Sequence, residues 1–173
     1  LLINKKYKSN EIFIKNPLKK YKIKNLQRID GICLVEEDNI NIKTYVKIIA
    51  KLKRQKKFQI YFKFRPNNEL NERLVNLLNK NDIKYFYKEN MYKLFSQYNI
   101  KILFAFNSSL LVECSYYNAI PILVYSDKIA LSEYVEDSIV FAYKIDNIQK
   151  VFNDFTKLKK KFKTIKNKVW KNN

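Results

Sequence analysis

Short apolar runs separated by stretches of helical period restrict the possible folds of this chain more than any other feature. The runs are apolar almost throughout, rather than alternating with polar residues, which is typical of strands covered on both faces of a sheet. Six runs have this character: GICLVEE, FQIYFKF, IKYFY, IKILFAF, IPILVY and DSIVFAY. Between them, apolar residues recur at the spacing of amphipathic helices. Alternating strands and helices predict βαβ units, and therefore an α/β fold: a Rossmann-like three-layer domain with a mainly parallel sheet.

The predicted domain covers residues 29–156, a length that allows a substantial core. Residues 1–28 lack the same periodicity, and the chain begins without a Met or a signal-peptide pattern. We interpret this segment as a connector, or as the remnant of a preceding domain in a longer protein. Residues 157–173 combine lysines with apolar residues at helical spacing, which predicts a basic amphipathic helix. Such a helix either lies on an anionic membrane surface or docks its apolar stripe on the domain.

The formal net charge of +19 has two interpretations. Lys, Asn, Ile, Tyr and Phe are all abundant, which is typical of AT-rich codon usage and needs no special partner. The alternative is a basic surface that binds an anionic partner. A nucleic-acid partner is disfavoured, because Arg is scarce beside Lys and most aromatic residues lie inside the apolar runs. No apolar window is long enough to predict a transmembrane helix.

Residue types that are rare or absent exclude several kinds of site. The chain has no histidine, and its two cysteines, Cys33 and Cys114, lie far apart inside apolar runs. This pattern argues against a zinc site and predicts buried free thiols in a reducing compartment. Gly31 is the only glycine, so neither the GxGxxG motif nor a phosphate-binding P-loop can form. A bound nucleotide would have to be held by hydroxyl groups and basic side chains instead.

Polar residues follow three of the predicted strands. Residues 107–109 (NSS) lie between the run IKILFAF and a predicted helix, and residues 63–66 (KFRP) end the run FQIYFKF. The serines either cap the helix or contact a ligand, since ligands of parallel α/β sheets bind beyond the carboxyl ends of the strands. Glu36, Glu37 and Asp38 follow the first strand. They either include a general base, with Glu37 as the candidate, or form the acidic start of the next helix.

The order of these segments resembles a known family. IYFKFRPNNEL, IKYFYKEN and LFSQYNIKILFAFNSSLLVECSYYNAIPILV together resemble the C-terminal, donor-binding half of GT-B glycosyltransferases over residues 30–155. The nearer resemblance is to bacterial sialyltransferases of the capsule and lipooligosaccharide type, namely glycosyltransferase family 52 and its polysialyltransferase relatives. Residues 63–66 match the position of a Lys-x-His-Pro motif in that family, and Ser108-Ser109 match a Ser-Ser or Ser-Thr motif. The segment ECSYYNAIP is similar to the general GT-B helix-to-strand passage E-A-x-x-x-G-x-P.

The resemblance implies a set of donor-binding residues: Lys63, Arg65, Pro66, Asn107, Ser108, Ser109 and Glu113. In the sialyltransferases the motif histidine contacts the donor phosphate and protonates the leaving group. Arg65 stands at that position, and an arginine can hold a phosphate but does not release a proton at useful pH. Glu113 would accept hydrogen bonds from ribose hydroxyls, or else be an exposed helical glutamate. Ala105 stands where retaining GT-B enzymes often carry a second Glu, which favours an inverting transfer.

The implied function is transfer of a sugar from a nucleotide-activated donor to a bacterial surface glycan. CMP-sialic acid is one candidate donor, and neither a metal nor another cofactor is expected. The acceptor and the general base would come mainly from an N-terminal GT-B domain that this chain lacks. The implied location is the cytoplasm, at the inner face of the membrane if the basic tail binds lipid. Two alternatives stay open: a GT-B-like domain without activity, because the histidine is missing, and a basic nucleic-acid-binding module.

Overall fold

The computed structural model describes residues 29–126 and 139–169. The strands are β1 (Gly31–Val35), β2 (Gln59–Lys63), β3 (Lys84–Phe86), β4 (Ile100–Ala105), β5 (Ile120–Tyr125) and β6 (Phe141–Lys144). The helices are α1 (Ile42–Leu52), α2 (Glu72–Lys80), α3 (Met91–Gln97), α4 (Leu110–Glu113), α5 (Ile148–Asn153) and α6 (Phe155–Val169), with 3₁₀ turns at Cys114–Tyr117 and Ile145–Asn147. The predicted connector (1–28) and the end of the predicted tail (170–173) lie outside the described residues.

The six strands form one sheet in which every pairing is parallel, in the order β3-β2-β1-β4-β5-β6. Helix α1 contacts α2 and α5 on one face of the sheet, while α3 packs against the 3₁₀ turn that follows α4. The predicted α/β Rossmann-like three-layer domain is therefore confirmed. The strand order reverses between β1 and β4, which makes this pair the topological switch point, where open α/β sheets bind ligands.

The central strands are apolar because both of their faces are covered. Ile32, Leu34 and Phe104 have no exposed surface, and burial of this kind supplies most of the driving force for folding. Cys33 and Cys114 are buried free thiols, as predicted. Burial raises the pKa of Cys33 to about 12, which keeps its thiol protonated and unreactive.

Asparagine side chains begin three of the helices. Asn41, Asn71 and Asn90 each accept a hydrogen bond from a backbone N–H of the first turn of α1, α2 and α3. An N-cap of this kind stabilises a helix by roughly 1 kcal/mol, because it satisfies an N–H group that has no partner within the helix. Each of these asparagines follows a loop from a strand, so the caps also fix where the strand-to-helix loops end.

Gly31 is required by a close contact rather than by a turn. A Cβ atom at this position would lie 2.8 Å from Cε2 of Tyr61 on the neighbouring strand. The Tyr61 ring is itself buried and packs against Phe86 and Tyr98, so it has little room to move away. The only glycine of the chain thus serves the packing of β1 against β2.

The closing helical segment differs from the prediction. The apolar spacing over residues 145–162 predicts one helix, but the segment forms a 3₁₀ turn and then α5, which ends at Asn153, and α6 begins at Phe155. This break lets Phe152 and Phe155 both pack on Phe58, with ring centroids 5.7 Å away in each case. Within residues 29–126 and 139–169, no helix combines the length and the apolar character needed to cross a membrane.

Helix α6 docks its apolar stripe on the domain. Leu158 and Phe162 are buried, and Ile165 packs against the core. Near its other end, Lys166 Nζ donates hydrogen bonds to the carbonyl of Tyr116, at 3.2 Å, and to Asn118 Oδ1, at 2.5 Å. Of the two predicted alternatives for this segment, the observed contacts are those of the docked helix. Contact with a membrane remains a prediction.

Candidate functional site

The loops that follow β1, β2 and β4 meet at the carboxyl edge of the sheet, the edge formed by the carboxyl ends of the strands. Three carboxyl side chains after β1, those of Glu36, Glu37 and Asp38, are called the acidic cluster here. The turn after β4, residues 107–109, is called the serine turn. Because β1 and β4 are neighbours at the switch point, the acidic cluster and the serine turn lie side by side.

Two members of the acidic cluster are buried and hydrogen-bonded to backbone groups of neighbouring loops. Glu36 and Glu37 are each only 7% exposed. Glu36 Oε2 accepts a hydrogen bond of 2.9 Å from the backbone N–H of Arg65, and Glu37 Oε1 accepts one of 3.3 Å from that of Asn107. These two carboxylates therefore join the loop after β1 to the loops after β2 and β4.

Arg65 neutralises part of the acidic cluster. Its Nη2 lies 3.6 Å from Glu37 Oε2, and its Nη1 forms an ion pair with the Asp38 carboxylate. Asn68 Nδ2 also donates to Asp38, at 3.0 Å. The Arg65 side chain is 38% exposed, so it is accessible to solvent while its Nη atoms contact the acids. Three carboxylates face one guanidinium and the nearby Lys63 ammonium, so acidic groups outnumber basic groups in this part of the edge.

The pKa of Glu37 is raised above its ordinary value. Burial is the main cause, and it is opposed by the positive charge of Arg65 and by the Asn107 N–H. A buried carboxyl beside an exposed polar turn suits a general base, because a raised pKa increases its affinity for a proton. The loop around it is held by Tyr45, whose hydroxyl accepts a 2.8 Å hydrogen bond from the Glu37 backbone N–H.

Lys63 lies close enough to the acidic cluster for its charge to interact with Glu36, but its hydrogen bonds go to backbone carbonyls. It is 4% exposed, and its Nζ donates to the carbonyls of Phe64, at 2.5 Å, and Tyr87, at 2.6 Å. Burial lowers the pKa of this lysine. The ammonium thus ties the end of β2 to the end of β3. Pro66 follows Arg65 in the turn that leaves β2.

The serine turn begins a much shorter helix than its sequence predicts. Helix α4 has four residues and continues as a 3₁₀ turn that ends at Tyr117, followed by Asn118, whose φ of 64° is left-handed. Ser108 Oγ accepts a long hydrogen bond of 3.3 Å from the Leu110 N–H. Ser109 is exposed and its hydroxyl makes no capping hydrogen bond. The capping interpretation therefore holds for Ser108 but not for Ser109.

Glu113, at the end of α4, is bonded to a residue that the sequence did not single out. The Tyr92 hydroxyl donates a short hydrogen bond to Glu113 Oε2. Burial, and then this bond to the carboxylate, raise the pKa of Tyr92. Tyr92 lies in the first turn of α3, just beyond β3, and first turns of helices lie at the carboxyl edge in a parallel sheet. That position is the sequence feature by which Tyr92 could have been found.

The structure therefore brings residues 63–66 and 107–109 close together, but their side chains have partners that the sequence did not indicate. Arg65 and Asn107 are linked through Glu37, Lys63 is directed into the sheet edge, and Glu113 is held by Tyr92. Asn68 and Tyr45, which sequence reasoning missed, support the loops around them. In the part of the chain that the structure describes, no group of three or more Cys, Asp or Glu side chains is arranged to hold a metal ion.

No known family model matches this chain, and no curated protein is significantly similar to it. The fold and the site define its class: a Rossmann-like α/β domain with a group of polar side chains at the switch point of its sheet.

Proposed function

We propose that this domain is the donor-binding half of a glycosyltransferase and that it binds a nucleotide-activated sugar at the switch point between β1 and β4. One observation carries the proposal. Residues 63–66 and 107–109, far apart in the sequence, lie on either side of one carboxylate, since Glu37 is close to Arg65 Nη2 and accepts from Asn107. In open α/β sheets, nucleotides bind in the crevice at the switch point, beyond the carboxyl ends of the strands.

Arg65 binds the donor phosphate through its solvent-exposed side. A guanidinium has five N–H donors in a fixed plane, so the bonds to the acidic cluster leave donors for a ligand. Its contacts with Glu37 and Asp38 hold the plane in a defined orientation before the ligand arrives. Such preorganisation favours binding, because less side-chain entropy is lost when the contact forms.

Hydroxyl groups of the donor pair with the carboxylates and the serine turn. Ionised carboxylates accept hydrogen bonds only, so Glu37 and Asp38 suit the hydroxyls of a ribose or of the sugar itself. The exposed hydroxyl of Ser109 supplies a further contact. Glu113, oriented by Tyr92, is a second acceptor on the far side of the serine turn. Phosphate and hydroxyl recognition in one crevice is the combination that a nucleotide-activated sugar requires.

The reaction is a direct displacement. An acceptor hydroxyl attacks the anomeric carbon, the bond to the nucleotide phosphate breaks, and the configuration inverts. Arg65 stabilises the negative charge that develops on the leaving phosphate. Glu37, with its raised pKa, is the candidate within this chain to take the proton of the attacking hydroxyl. The acceptor, a bacterial surface glycan, is held by the other half of the enzyme, and CMP-sialic acid is the first donor to test.

Calorimetry tests the proposal directly. The chain is titrated with CMP, UDP, GDP and CMP-sialic acid at moderate salt, and one nucleotide class is expected to bind. Arg65→Ala should weaken that binding by about one to two decades, the value of a charge-assisted contact of roughly 1.5 to 3 kcal/mol. Arg54→Ala, which removes an equal charge at the opposite edge, is the control. Absence of binding by all four nucleotides, or an affinity unmoved by Arg65→Ala, overturns the proposal.

A domain that binds donor but does not catalyse transfer is the second candidate. It is favoured by one observation, the presence of an arginine where the resembling enzymes carry a proton-donating histidine. In the full-length protein, a donor affinity that is normal together with an undetectable rate of transfer would select this candidate. Restoration of transfer by Arg65→His would then identify the missing proton donor.

A further inference from the structure

Two basic segments meet at the amino edge of the sheet, on the side away from the crevice. The first is residues 51–57 (KLKRQKK), which end α1 and lead into β2, and the second is α6. Neither segment contains an acidic residue, and the nearest acid along the chain is Asp154, just before α6. The two segments are a hundred positions apart in the sequence, so only the fold brings them together.

Specific contacts hold the two segments side by side. Phe58, which follows the first segment, packs edge-on against Phe155 at the start of α6, with centroids 5.7 Å apart. Gln55 Nε2 donates a 2.7 Å hydrogen bond to Gln149 Oε1 on α5. These contacts join the end of α1 to the beginning of α6. The positive charges of both segments therefore belong to one rigid surface.

Helix α6 then runs along the amino edge. Lys161 Nζ lies 5.6 Å from the ring of Phe141, the first residue of β6, and Lys166 bonds to Asn118, just before β5. With Leu158 and Phe162 buried in the domain, Lys157, Lys160 and Lys163 recur at every third position on the opposite side of the helix. The basic platform is defined by the exposed basic residues of both segments: Lys53, Arg54, Lys56, Lys57, Lys157, Lys159, Lys160, Lys161 and Lys163.

We propose that the basic platform binds an anionic lipid surface electrostatically, without inserting a helix, so that the crevice on the opposite edge faces away from the membrane. The apolar stripe of α6 is already buried against the core, so it is not available for insertion. Lysine ammonium groups on a broad surface suit a layer of diffuse negative charge, to which each contributes independently. This surface is independent of the nucleotide site and of its proposed function.

The observations favour lipid over nucleic acid. Eight of the nine platform residues are lysine, whereas nucleic-acid interfaces favour the bidentate guanidinium of arginine. Single-stranded nucleic acids also stack on exposed aromatic rings. Among residues 29–126 and 139–169, the exposed large apolar side chains are Ile29, Val46 and Leu70, none of them aromatic.

Vesicle sedimentation with the whole chain tests the proposal. Binding is expected to vesicles of phosphatidylcholine that contain about one third phosphatidylglycerol, but not to phosphatidylcholine alone, and it should be lost at high salt because screening shortens the reach of the charges. The triple variant Lys56→Gln/Lys157→Gln/Lys160→Gln should lower the partition coefficient about a hundredfold, or roughly fivefold for each lysine.

The matched control is Lys43→Gln/Lys88→Gln/Lys144→Gln, which removes three exposed lysines at the carboxyl edge. It should lower partitioning by less than about fivefold, since these charges lie on the side away from the lipid. An equal loss in both triple variants would show attraction by net charge alone and would overturn the platform.

A double variant separates binding by the whole platform from binding by α6 alone. Lys56→Gln/Lys57→Gln leaves α6 intact and should still lower partitioning by more than about tenfold. An unchanged partition coefficient would overturn the two-segment surface. Tighter binding to a DNA duplex than to anionic vesicles at the same salt would assign the platform to nucleic acid instead.

Discussion

The two edges of the sheet differ in charge and in packing. At the carboxyl edge, buried carboxylates and one arginine surround an exposed polar turn. At the amino edge, aromatic contacts such as Phe58 with Phe155 lie under a surface of lysines. The chain carries 35 basic and 16 acidic residues, yet three consecutive acids occupy the point where a Rossmann-like sheet binds its ligand. Net charge therefore indicates nothing about the sign of the charge in the crevice.

This difference has a physical origin in the direction of parallel strands. All the strands end at the same edge, so loops that carry exposed polar groups accumulate there, while the other edge can be covered by the closing helix. An edge that is covered tolerates little change in its apolar residues. An edge that is open tolerates change in its polar residues, provided that no buried charge loses its partner. Four substitutions test this contrast.

The largest effect is expected at the covered edge. Phe162→Ala should lower the free energy of unfolding by about 3 to 5 kcal/mol, because it removes a buried ring from the interface between α6 and the domain. Chemical denaturation followed by circular dichroism measures the loss. The control Lys163→Ala, at the neighbouring exposed position, should change stability by less than about 0.5 kcal/mol. Similar small effects for both would mean that α6 does not dock.

Gly31→Ala should have the next largest effect, again at the amino edge. The added methyl group would meet the buried Tyr61 ring at 2.8 Å, and overpacking of this kind costs about 1 to 3 kcal/mol. A double-mutant cycle identifies the cause: in a Tyr61→Leu background, which removes the ring, the same substitution should cost much less. A cost that persists unchanged in that background would contradict the close contact as the reason for glycine.

Arg65→Ala should lower stability at neutral pH by about 1 to 2 kcal/mol, a moderate value because the guanidinium is partly exposed and its ion pairs are screened by solvent. The loss should shrink on acidification. The folded-state pKa of Glu37 is already raised, so stability falls as pH rises from the ordinary glutamate pKa through that of Glu37. Without the opposing charge of Arg65 the pKa rises further, and the fall extends to higher pH.

Denaturation of both proteins across the acidic to neutral range measures this dependence. Glu37→Gln is the control, since it removes the titrating group and keeps the shape of the side chain. In that background, the loss of stability caused by Arg65→Ala should depend much less on pH. The dependence that remains would come from the ion pair of Arg65 with Asp38. A cost that does not change with pH would show that Arg65 does not neutralise the acidic cluster.

The smallest effect on stability is expected at Ser109. Its hydroxyl makes no capping hydrogen bond, so Ser109→Ala should change the free energy of unfolding by less than about 0.5 kcal/mol. Nucleotide affinity should fall roughly fivefold, the value of one neutral hydrogen bond of about 1 kcal/mol. Ser108→Ala is the comparison, because that side chain accepts from Leu110. A loss of about 1 kcal/mol at Ser109 with unchanged affinity would identify it as a cap.

The candidate site was predictable in its residues but not in their pairing. Arg65, Glu37 and Asn107 could be found because each follows an apolar run, and such positions share one edge of a parallel sheet. The sequence indicated that Arg65 can hold a phosphate, and the structure adds its contacts with Glu37 and Asp38. Ion pairs between distant residues depend on which strands are neighbours, and the spacing of residues along the chain does not record strand order.

The helix after the serine turn is a local example of structure that the sequence pattern did not predict. The apolar spacing over residues 108–118 predicts one helix, but α4 ends at Glu113 and a 3₁₀ turn completes the segment. Asn118 then turns the chain into β5 with a left-handed φ of 64°. Periodicity reports which residues face the core, and both helical forms place them there. The spacing of apolar residues therefore does not distinguish the two forms.

What the sequence determined by itself is the class of the fold and the types of site that cannot form. The period of the apolar residues depends on which faces of a segment are buried, so it can be determined from the sequence alone. The absence of histidine and of a glycine-rich loop follows directly from the composition. Only the tertiary structure decided the order of the strands, the union of residues 51–57 with α6, and the pairing of Tyr92 with Glu113. These depend on contacts between residues far apart in the chain, whose energies exist only once the chain has folded.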